Sequence, residues 1–194
     1  MSALAPRRYT YEEYLAQEEL SEIKHEFCDG AILAMAGGTP EHSLVKFNLG
    51  VAVANALRGR PCRAFDCDLR VLAGEADFAT YPDLSVVCGQ FVRAGRDKNA
   101  LTNPTALFEV LSHGTAAYDL GEKFDQYCRL PTLREYVVVE SERIGARTFR
   151  LEGGIWALRR FGVGEMVALP SIGISVGMAD IYDGWEELRA TARE

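Results

Sequence analysis

The sequence lacks any long hydrophobic run, and this limits where the protein can act. No apolar stretch approaches the roughly 18 to 20 residues that cross a bilayer, and Met1 to Arg8 lack the apolar segment of a signal peptide. We therefore expect a soluble, cytoplasmic protein with no membrane partner. The length of 194 residues and the 48% hydrophobic content are typical of one globular domain, so we expect residues 1–194 to form a single domain.

The cysteine patterns of zinc-binding and disulfide-rich proteins are also absent. The five cysteines are odd in number, form no CxxC pair and have no histidine cluster nearby: Cys28, Cys62, Cys67, Cys88 and Cys128. We therefore expect neither a disulfide nor a structural zinc. Three of them, Cys28, Cys88 and Cys128, lie in apolar or periodic segments and are expected to be buried small hydrophobic residues.

Motifs of other enzyme classes are missing, as is an excess of positive charge. Without GxSxG, GxGxxG or a P-loop, serine hydrolase and ATP-driven chemistry have little support. The net charge of −7 argues against a generally basic DNA-binding surface. Basic residues do cluster locally, in two runs: Arg58, Arg60, Arg63 and Arg70, then Arg93, Arg96 and Lys98. Each run taken alone is typical of a solvated loop surface.

Hydrophobic periodicity predicts an alternation of helices and strands. Thr10 and Glu13 form a capping-box pattern before a helix over about 11–18, and Asp29-Gly30 predicts a hairpin within 24–36. Further helices are predicted over about 41–57 and 116–130, and strands over about 63–71, 83–88, 106–111 and 136–140. An antiparallel meander with a Gly153-Gly154 turn follows. The apolar runs LSVV and ALFEVL indicate strands covered on both faces.

Two carboxylates interrupt these apolar strands. Asp83 opens the run YPDLSVV, and Glu109 lies in the middle of ALFEVLS. A buried carboxylate is costly unless it is paired, protonated or bound to a metal. Mg²⁺ commonly takes one or two carboxylates and completes its octahedron with waters and substrate phosphate. The pair therefore predicts a phosphodiester-cleaving site for Mg²⁺ or Mn²⁺, although Asp83 alone is equally typical of a strand start after Pro82.

Lys123 flanks the apolar stripe of the predicted helix over 116–130. It lies about 40° around the helix from Tyr127 and about 60° from Leu120, at 100° per residue. From there its ammonium group could reach over the strand ends. The alternative is an i,i+4 ion pair with Asp119, in the favourable acid-before-base order. For this lysine taken alone, the ion pair is the favoured interpretation.

An ordered set of motifs then suggests a family. The segments HEFCDG, GGTPEH, YPDLSVV, FEVLS and DLGEKFDQY, followed by EYVVVE and DIYDGW, span about residues 8–185. Together they resemble the Uma family of restriction-endonuclease-like proteins in the PD-(D/E)XK nuclease superfamily. The resemblance implies an α/β fold with a central mixed sheet flanked by helices, to which the C-terminal meander adds antiparallel strands.

The resemblance also implies a set of site residues. Pro82-Asp83 matches the PD element, and Glu109 opens the (D/E)XK element, in which Leu111 stands where a lysine is expected. The missing lysine corresponds to Lys123 on the following helix. Glu26 matches an additional acidic residue of such nucleases, as a metal ligand or water-orienting base. His42 matches a recurring histidine that would orient a phosphate or water, or make a structural hydrogen bond.

We therefore expect a Mg²⁺- or Mn²⁺-dependent endodeoxyribonuclease with Asp83, Glu109 and Glu26 as metal ligands. The alternative is an inactive nuclease-like module that binds nucleic acid or a protein. The exposed edge of the meander, and the two-fold symmetry of duplex cleavage, favour a homodimer. His113 and Gly114 depart from the family pattern, and His113 is either a proton shuttle or a loop residue without a role.

Overall fold

The structure, a computed structural model, describes residues 7–35, 37–74, 77–112 and 114–191. Short strands and helices alternate along the chain. Its first half contains these elements: α1 (Tyr11–Glu18), β1 (His25–Cys28), β2 (Ala31–Ala34), α2 (Pro40–Ala56), β3 (Cys62–Asp66), β4 (Arg70–Ala73), β5 (Phe78–Thr80), β6 (Leu84–Cys88) and β7 (Ala100–Leu101).

The second half begins with the longest buried strand and ends in two short helices. Its elements are β8 (Ala106–Leu111), α3 (Ala116–Leu120), α4 (Glu122–Tyr127), β9 (Glu135–Glu140), β10 (Ala146–Glu152), β11 (Ile155–Phe161), β12 (Met166–Leu169), β13 (Ile174–Gly177), α5 (Met178–Ile181) and α6 (Trp185–Thr191). None of the helices in the described ranges has the length and apolarity needed to cross a bilayer.

Three sheets organise these strands. The central six-stranded sheet has the order β11-β10-β9-β8-β6-β3, with β8 and β9 parallel and the other pairs antiparallel. A five-stranded sheet has the order β2-β1-β5-β4-β7, and β12 pairs with β13. The predicted architecture, a mixed sheet with helices and extra antiparallel strands at the C-terminus, is confirmed.

The inner strands β6, β8 and β9 of the central sheet are covered on both faces, which explains their apolar sequences. Every residue of β8 is buried. Phe108 and Val110 pack with Val45 and Leu49 of α2, whereas Leu107 packs with residues of α4 and the five-stranded sheet. Fully burying each such large side chain contributes about 1.5–3 kcal/mol. Glu109 faces the same side as Leu107, because successive strand residues alternate between faces.

Local signals placed several elements correctly. Thr10 and Glu13 form both hydrogen bonds of a capping box, and α1 has the predicted bounds. Asp29 and Gly30 have φ values of 46° and 86°, the left-handed conformations that a two-residue hairpin turn needs between β1 and β2. Helix α2 begins at Pro40, one residue before its predicted start.

Two predicted elements are each divided in the structure. The predicted strand over 63–71 is β3 and β4, which lie in different sheets. Between them Asp66 turns the chain, since its side chain accepts from the Asp68 N–H at 3.1 Å and its carbonyl from the Leu69 N–H at 3.2 Å. The predicted helix over 116–130 is α3 and α4, which meet at Gly121 with φ −116° and ψ −103°.

The expectation that no disulfide forms is wrong. Cys62 and Cys88 are joined by a disulfide, because they lie opposite each other in the antiparallel pair β3–β6. Their separation of 26 residues gives no spacing signal in the sequence. The other three cysteines are free and half-buried, so Cys28 and Cys128 are less enclosed than expected.

Candidate active site

Asp83 and Glu109 meet at the start of β6. Strands β6 and β8 are antiparallel neighbours in which Leu84 lies opposite Phe108, so Asp83 lies beside the middle of β8. The Asp83 carboxylate accepts a hydrogen bond from the Val110 N–H at 2.8 Å, and the Asp83 N–H donates to Glu109 Oε2 at 3.4 Å. The two residues, predicted to approach each other, are therefore neighbours, with Glu109 on β8 and Asp83 immediately before β6.

Lys123 binds three carboxylates at once. Its ammonium nitrogen lies 2.9 Å from Glu26 Oε1, 2.9 Å from Glu109 Oε1 and 3.4 Å from Asp119 Oδ1. The residue is 5% exposed. Both alternatives for this lysine are thus realised together, since it reaches the strand carboxylate and also pairs with Asp119.

Glu26 joins the five-stranded sheet to this cluster. It lies on β1, where its carboxylate accepts hydrogen bonds from the Thr80 hydroxyl and from Lys123. On the opposite side, the Tyr127 hydroxyl donates to Glu109 Oε1 at 2.7 Å. Glu26 therefore fixes Lys123 from one sheet while Glu109 fixes it from the other.

Helix α2 presents two basic side chains to Asp83. His42 Nε2 lies 3.6 Å from Asp83 Oδ2, and Lys46 Nζ lies 3.6 Å from Asp83 Oδ1. A Cβ at Gly38 would lie 2.6 Å from His42 Nδ1, so the loop before α2 needs glycine to leave room for the imidazole. Sequence reasoning missed Lys46. Its signal was the position one helical turn after His42, which places both side chains on one helix face.

The environment moves the pKa values of the two central carboxyls apart. Burial raises the pKa of Glu109 to about 8; Asp83 and Asp119 add to the rise and Lys123 opposes it. Burial also disfavours ionisation of Asp83, but contacts with His42 and the Val110 N–H, together with the nearby charge of Lys46, outweigh it and lower its pKa. Groups whose pKa values are pushed apart are typical of acid–base sites.

These residues line one cleft of about 320 Å³. Its charged lining comprises the carboxylates Glu26, Asp83, Glu109 and Asp119, the lysines Lys24, Lys46 and Lys123, and His42 nearby. Lys24 is paired with Asp68, which does not line the cleft. The four carboxylates therefore face two remaining lysines and, when ionised, leave an excess of two negative charges.

The donor set suits a hard divalent cation. Carboxylate oxygens with excess negative charge are what Mg²⁺ prefers, and two protein carboxylates suffice when substrate phosphate supplies further oxygens. Asp83 and Glu109 meet that requirement. No group of three potential metal ligands occurs in the described ranges, which omit His113. The assignment of Glu26 as a third ligand stays a prediction, and the proposed role of His113 lies outside the described residues.

Comparisons with known proteins identify the family to which the chain belongs. Residues 11–179 match the Uma2 family, described as "Putative restriction endonuclease". The uncharacterized protein slr1290 of Synechocystis is 35% identical over 174 residues, which cover 89% of this chain and 90% of that protein. A second Synechocystis protein, sll1609, is 33% identical over 131 residues, covering 68% and 74% respectively.

A solved structure shares the fold. It is a "putative nuclease belonging to DUF820" from Anabaena variabilis, with a TM-score of 0.72 at 20% identity. The match covers 89% of this chain and 97% of that one. At this identity the likeness extends to the fold, which has the mixed sheet and flanking helices described above.

Proposed function

Because the chain belongs to the Uma2 family, we propose that it is a divalent-metal-dependent endonuclease that hydrolyses phosphodiester bonds of nucleic acid, DNA in particular. The observation that carries the proposal is the pairing of Asp83 with Glu109 on adjacent strands, beside a buried lysine, in a cleft with excess negative charge.

Each residue of the cluster has a distinct role in this proposal. Asp83 and Glu109 would hold Mg²⁺ or Mn²⁺, which lowers the pKa of an attacking water and neutralises phosphate charge. Asp83 can bind a cation without first losing a proton, since its lowered pKa keeps the carboxyl group ionised. Glu109, whose pKa is raised to about 8, would give up its proton on binding the ion. His42 and Lys46 orient the Asp83 carboxylate, and the partly exposed Lys46 ammonium reaches a phosphate in the cleft.

Lys123 supplies the fixed positive charge of the site. Burial lowers its pKa, but Glu109, Tyr127, Glu26 and Asp119 more than reverse this and raise the pKa well above its ordinary value. The ammonium group therefore stays charged and donates hydrogen bonds to the carboxylates around it. A preorganised charge of this kind stabilises the charge that develops on a phosphate during cleavage.

A nuclease-like module that binds without cutting is the second candidate. The observation that favours it is that Lys123 already forms ion pairs with three of the four carboxylates in the cleft. Related folds host both kinds of function, so the fold does not decide between them.

Cleavage by matched variants separates the two candidates. We expect the native protein to cut supercoiled plasmid or single-stranded DNA with Mg²⁺ or Mn²⁺, and Asp83→Asn and Glu109→Gln to lose about a hundredfold of that rate, since metal-site ligands and their partners are sensitive to substitution. Glu186→Gln, which changes an exposed carboxylate on α6, should cut like the native protein. Cutting that persists in both site variants would identify a contaminating nuclease.

Metal binding provides a readout independent of cleavage. Mn²⁺ should raise the melting temperature of the native protein and of Glu186→Gln but not of Asp83→Asn, because a ligand that binds only the folded state stabilises it. If the native protein shows neither cleavage nor a metal-dependent shift, the binding module becomes the better assignment.

A further inference from the structure

A second groove adjoins the cleft. It has a volume of about 620 Å³, and its lining includes Lys24, Phe65, Arg70, Tyr81, Arg93 and Asn99. Two of these, Lys24 and Tyr81, also line the cleft. The two cavities are therefore adjacent, with Lys24 and Tyr81 at their border.

Arg70 is the unusual member of this lining. It is only 5% exposed, so the expectation of a solvated arginine is wrong for this position. Its Nε and Nη1 atoms are buried without a hydrogen-bond acceptor in the described part of the chain. Buried donors without acceptors are unfavourable, and a planar guanidinium matches the oxygens of a phosphate.

Arg70 forms an ion pair with Asp97, but its Nε atom makes no hydrogen bond to that carboxylate. Asp97 Oδ2 lies 3.3 Å from Arg70 Nε but accepts a hydrogen bond from the Tyr11 hydroxyl at 2.8 Å. Asp97 Oδ1 accepts from the Asn99 N–H at 3.0 Å. The tyrosine rings of Tyr14 and Tyr81 each lie 5.4 Å from the guanidinium and hold it in place.

Two further cations converge on the same groove. Lys24 is held by Asp68 and by the Cys67 carbonyl at 3.0 Å, and Arg93 donates from Nη1 to the Lys98 carbonyl at 2.7 Å. Arg70 and Arg93 come from the two separate basic runs of the sequence. With Asp66 and Asp68 also in the lining and Arg70 paired with Asp97, two remaining cations face two carboxylates, so the charges of the groove balance where the cleft has excess negative charge.

We propose that this groove binds a phosphate of the substrate strand next to the phosphate that occupies the cleft. The inference rests on the proposed function and adds a substrate-binding site to it. A phosphodiester can accept hydrogen bonds from Arg70, Lys24 and Arg93, and the smaller negative charge of the groove fits a strand whose scissile phosphate would meet a metal ion in the cleft while its neighbour meets protein cations.

Binding measured without cleavage tests this assignment. The probe is a short fluorescein-labelled single-stranded oligonucleotide, followed by anisotropy in EDTA. Lys24→Gln together with Arg93→Gln should weaken binding about tenfold and reduce the slope of log K against log salt by about 0.7 for each phosphate that the protein no longer neutralises. Arg96→Gln, an exposed arginine paired with Glu12, is the matched control and should bind like the native protein.

Two single variants sharpen the test. Asp68→Asn should tighten binding, because it removes a negative charge and frees Lys24, and a purely structural role for the groove predicts no such gain. Arg70→Lys keeps the charge but loses the planar fork, and should weaken binding while thermal melting verifies its fold. If Arg70→Lys does not fold, Arg93→Gln and Asp68→Asn decide, because both residues line the groove and not the cleft.

The outcomes for the groove and for the nuclease are separable. Native-like binding by the Lys24/Arg93 double variant, or weaker binding by Asp68→Asn, overturns the groove assignment even if the native protein cleaves DNA. Binding that depends on the groove residues, without any cleavage, would support the phosphate-binding groove and contradict the nuclease activity. Displacement of the strand by a nucleoside monophosphate at equal phosphate concentration would assign the groove to free nucleotides instead.

Discussion

Glu109 is a carboxylic acid in the middle of a buried strand, where the residue is only 4% exposed, so burial disfavours its ionised form. Its pKa in the folded protein is about 8, against an ordinary value of 4.5. Between these pH values the folded protein holds a proton that the unfolded chain releases. The contribution of Glu109 to stability is therefore complete below about pH 4.5 and is lost as the pH rises through about 8.

Replacing Glu109 with glutamine should remove this pH dependence. We expect the free energy of unfolding of Glu109→Gln to exceed that of the native protein at about pH 8 and the difference to shrink toward about pH 5, because glutamine never ionises. Urea denaturation across this range measures the effect. Glu186→Gln should follow the native curve, and parallel curves for native protein and Glu109→Gln would contradict the raised pKa.

Lys123 is the residue whose loss should cost the most stability. Lys123→Met leaves Glu26, Glu109 and Asp119 facing one another without their cation, and breaking a buried ion pair typically costs about 3–5 kcal/mol. The loss should be largest near neutral pH and smaller in acid, where carboxylates take up protons. Urea denaturation of Lys123→Met beside Lys123→Arg, which keeps the charge, measures it; equal stability of Lys123→Met and native protein would contradict a charged Lys123.

At the scale of elements, the sequence predicted correctly those features that depend on contacts between residues close together in the chain. The capping box of α1, the Asp29-Gly30 turn and the apolar runs of β6 and β8 are local features, and each was predicted correctly. The approach of Asp83 to Glu109 followed from the same reasoning, because both lie on predicted core strands.

The features that the sequence did not reveal depend on contacts between distant segments. The division of residues 63–71 between two sheets is decided by which partner strand is available, and the disulfide by the pairing register of β3 with β6. The burial of Arg70 follows from its packing against Tyr14 and Tyr81. A single sequence has no signal for such pairings, since apolar and basic residues are compatible with several partners.

The Cys62–Cys88 disulfide should stabilise the edge of the central sheet. It joins edge strand β3 to β6 across 26 residues of chain, and closing a loop of that size contributes about 3 kcal/mol. Cys62→Ala combined with Cys88→Ala, or treatment with a reductant, should lower the free energy of unfolding in urea by about this amount. Cys128→Ser, at a free cysteine, is the control, and an unchanged stability after reduction would show that the bond is not formed in solution.

At the scale of the whole molecule, β11 leaves one edge of the central sheet without a neighbouring strand in the described ranges. Its side chains Ile155 and Leu158 are exposed, and unpaired apolar edges tend to associate. We expect a homodimer in which two β11 strands pair antiparallel about a two-fold axis. Light scattering should give the mass of two chains for the native protein.

Variants at this edge test the dimer. Leu158→Lys should give the mass of one chain, because lysine is one of the residues that keep edge strands apart. Val163→Lys, at an exposed apolar residue beyond β11, should leave the dimer intact. If the native protein has the mass of a single chain at micromolar concentration, the predicted homodimer is wrong.

The buried ammonium of Lys123 also makes folding of the protein independent of a bound metal ion. The three carboxylates that converge on it would repel one another in a nascent core, and many sites of this kind form only around an added cation. Here the chain carries its own counter-ion, so it can reach its final shape in a metal-poor environment and remain folded when an ion departs. If the protein is the metal-dependent nuclease proposed above, its activity would then follow the local concentration of divalent ions while the amount of folded protein stays constant.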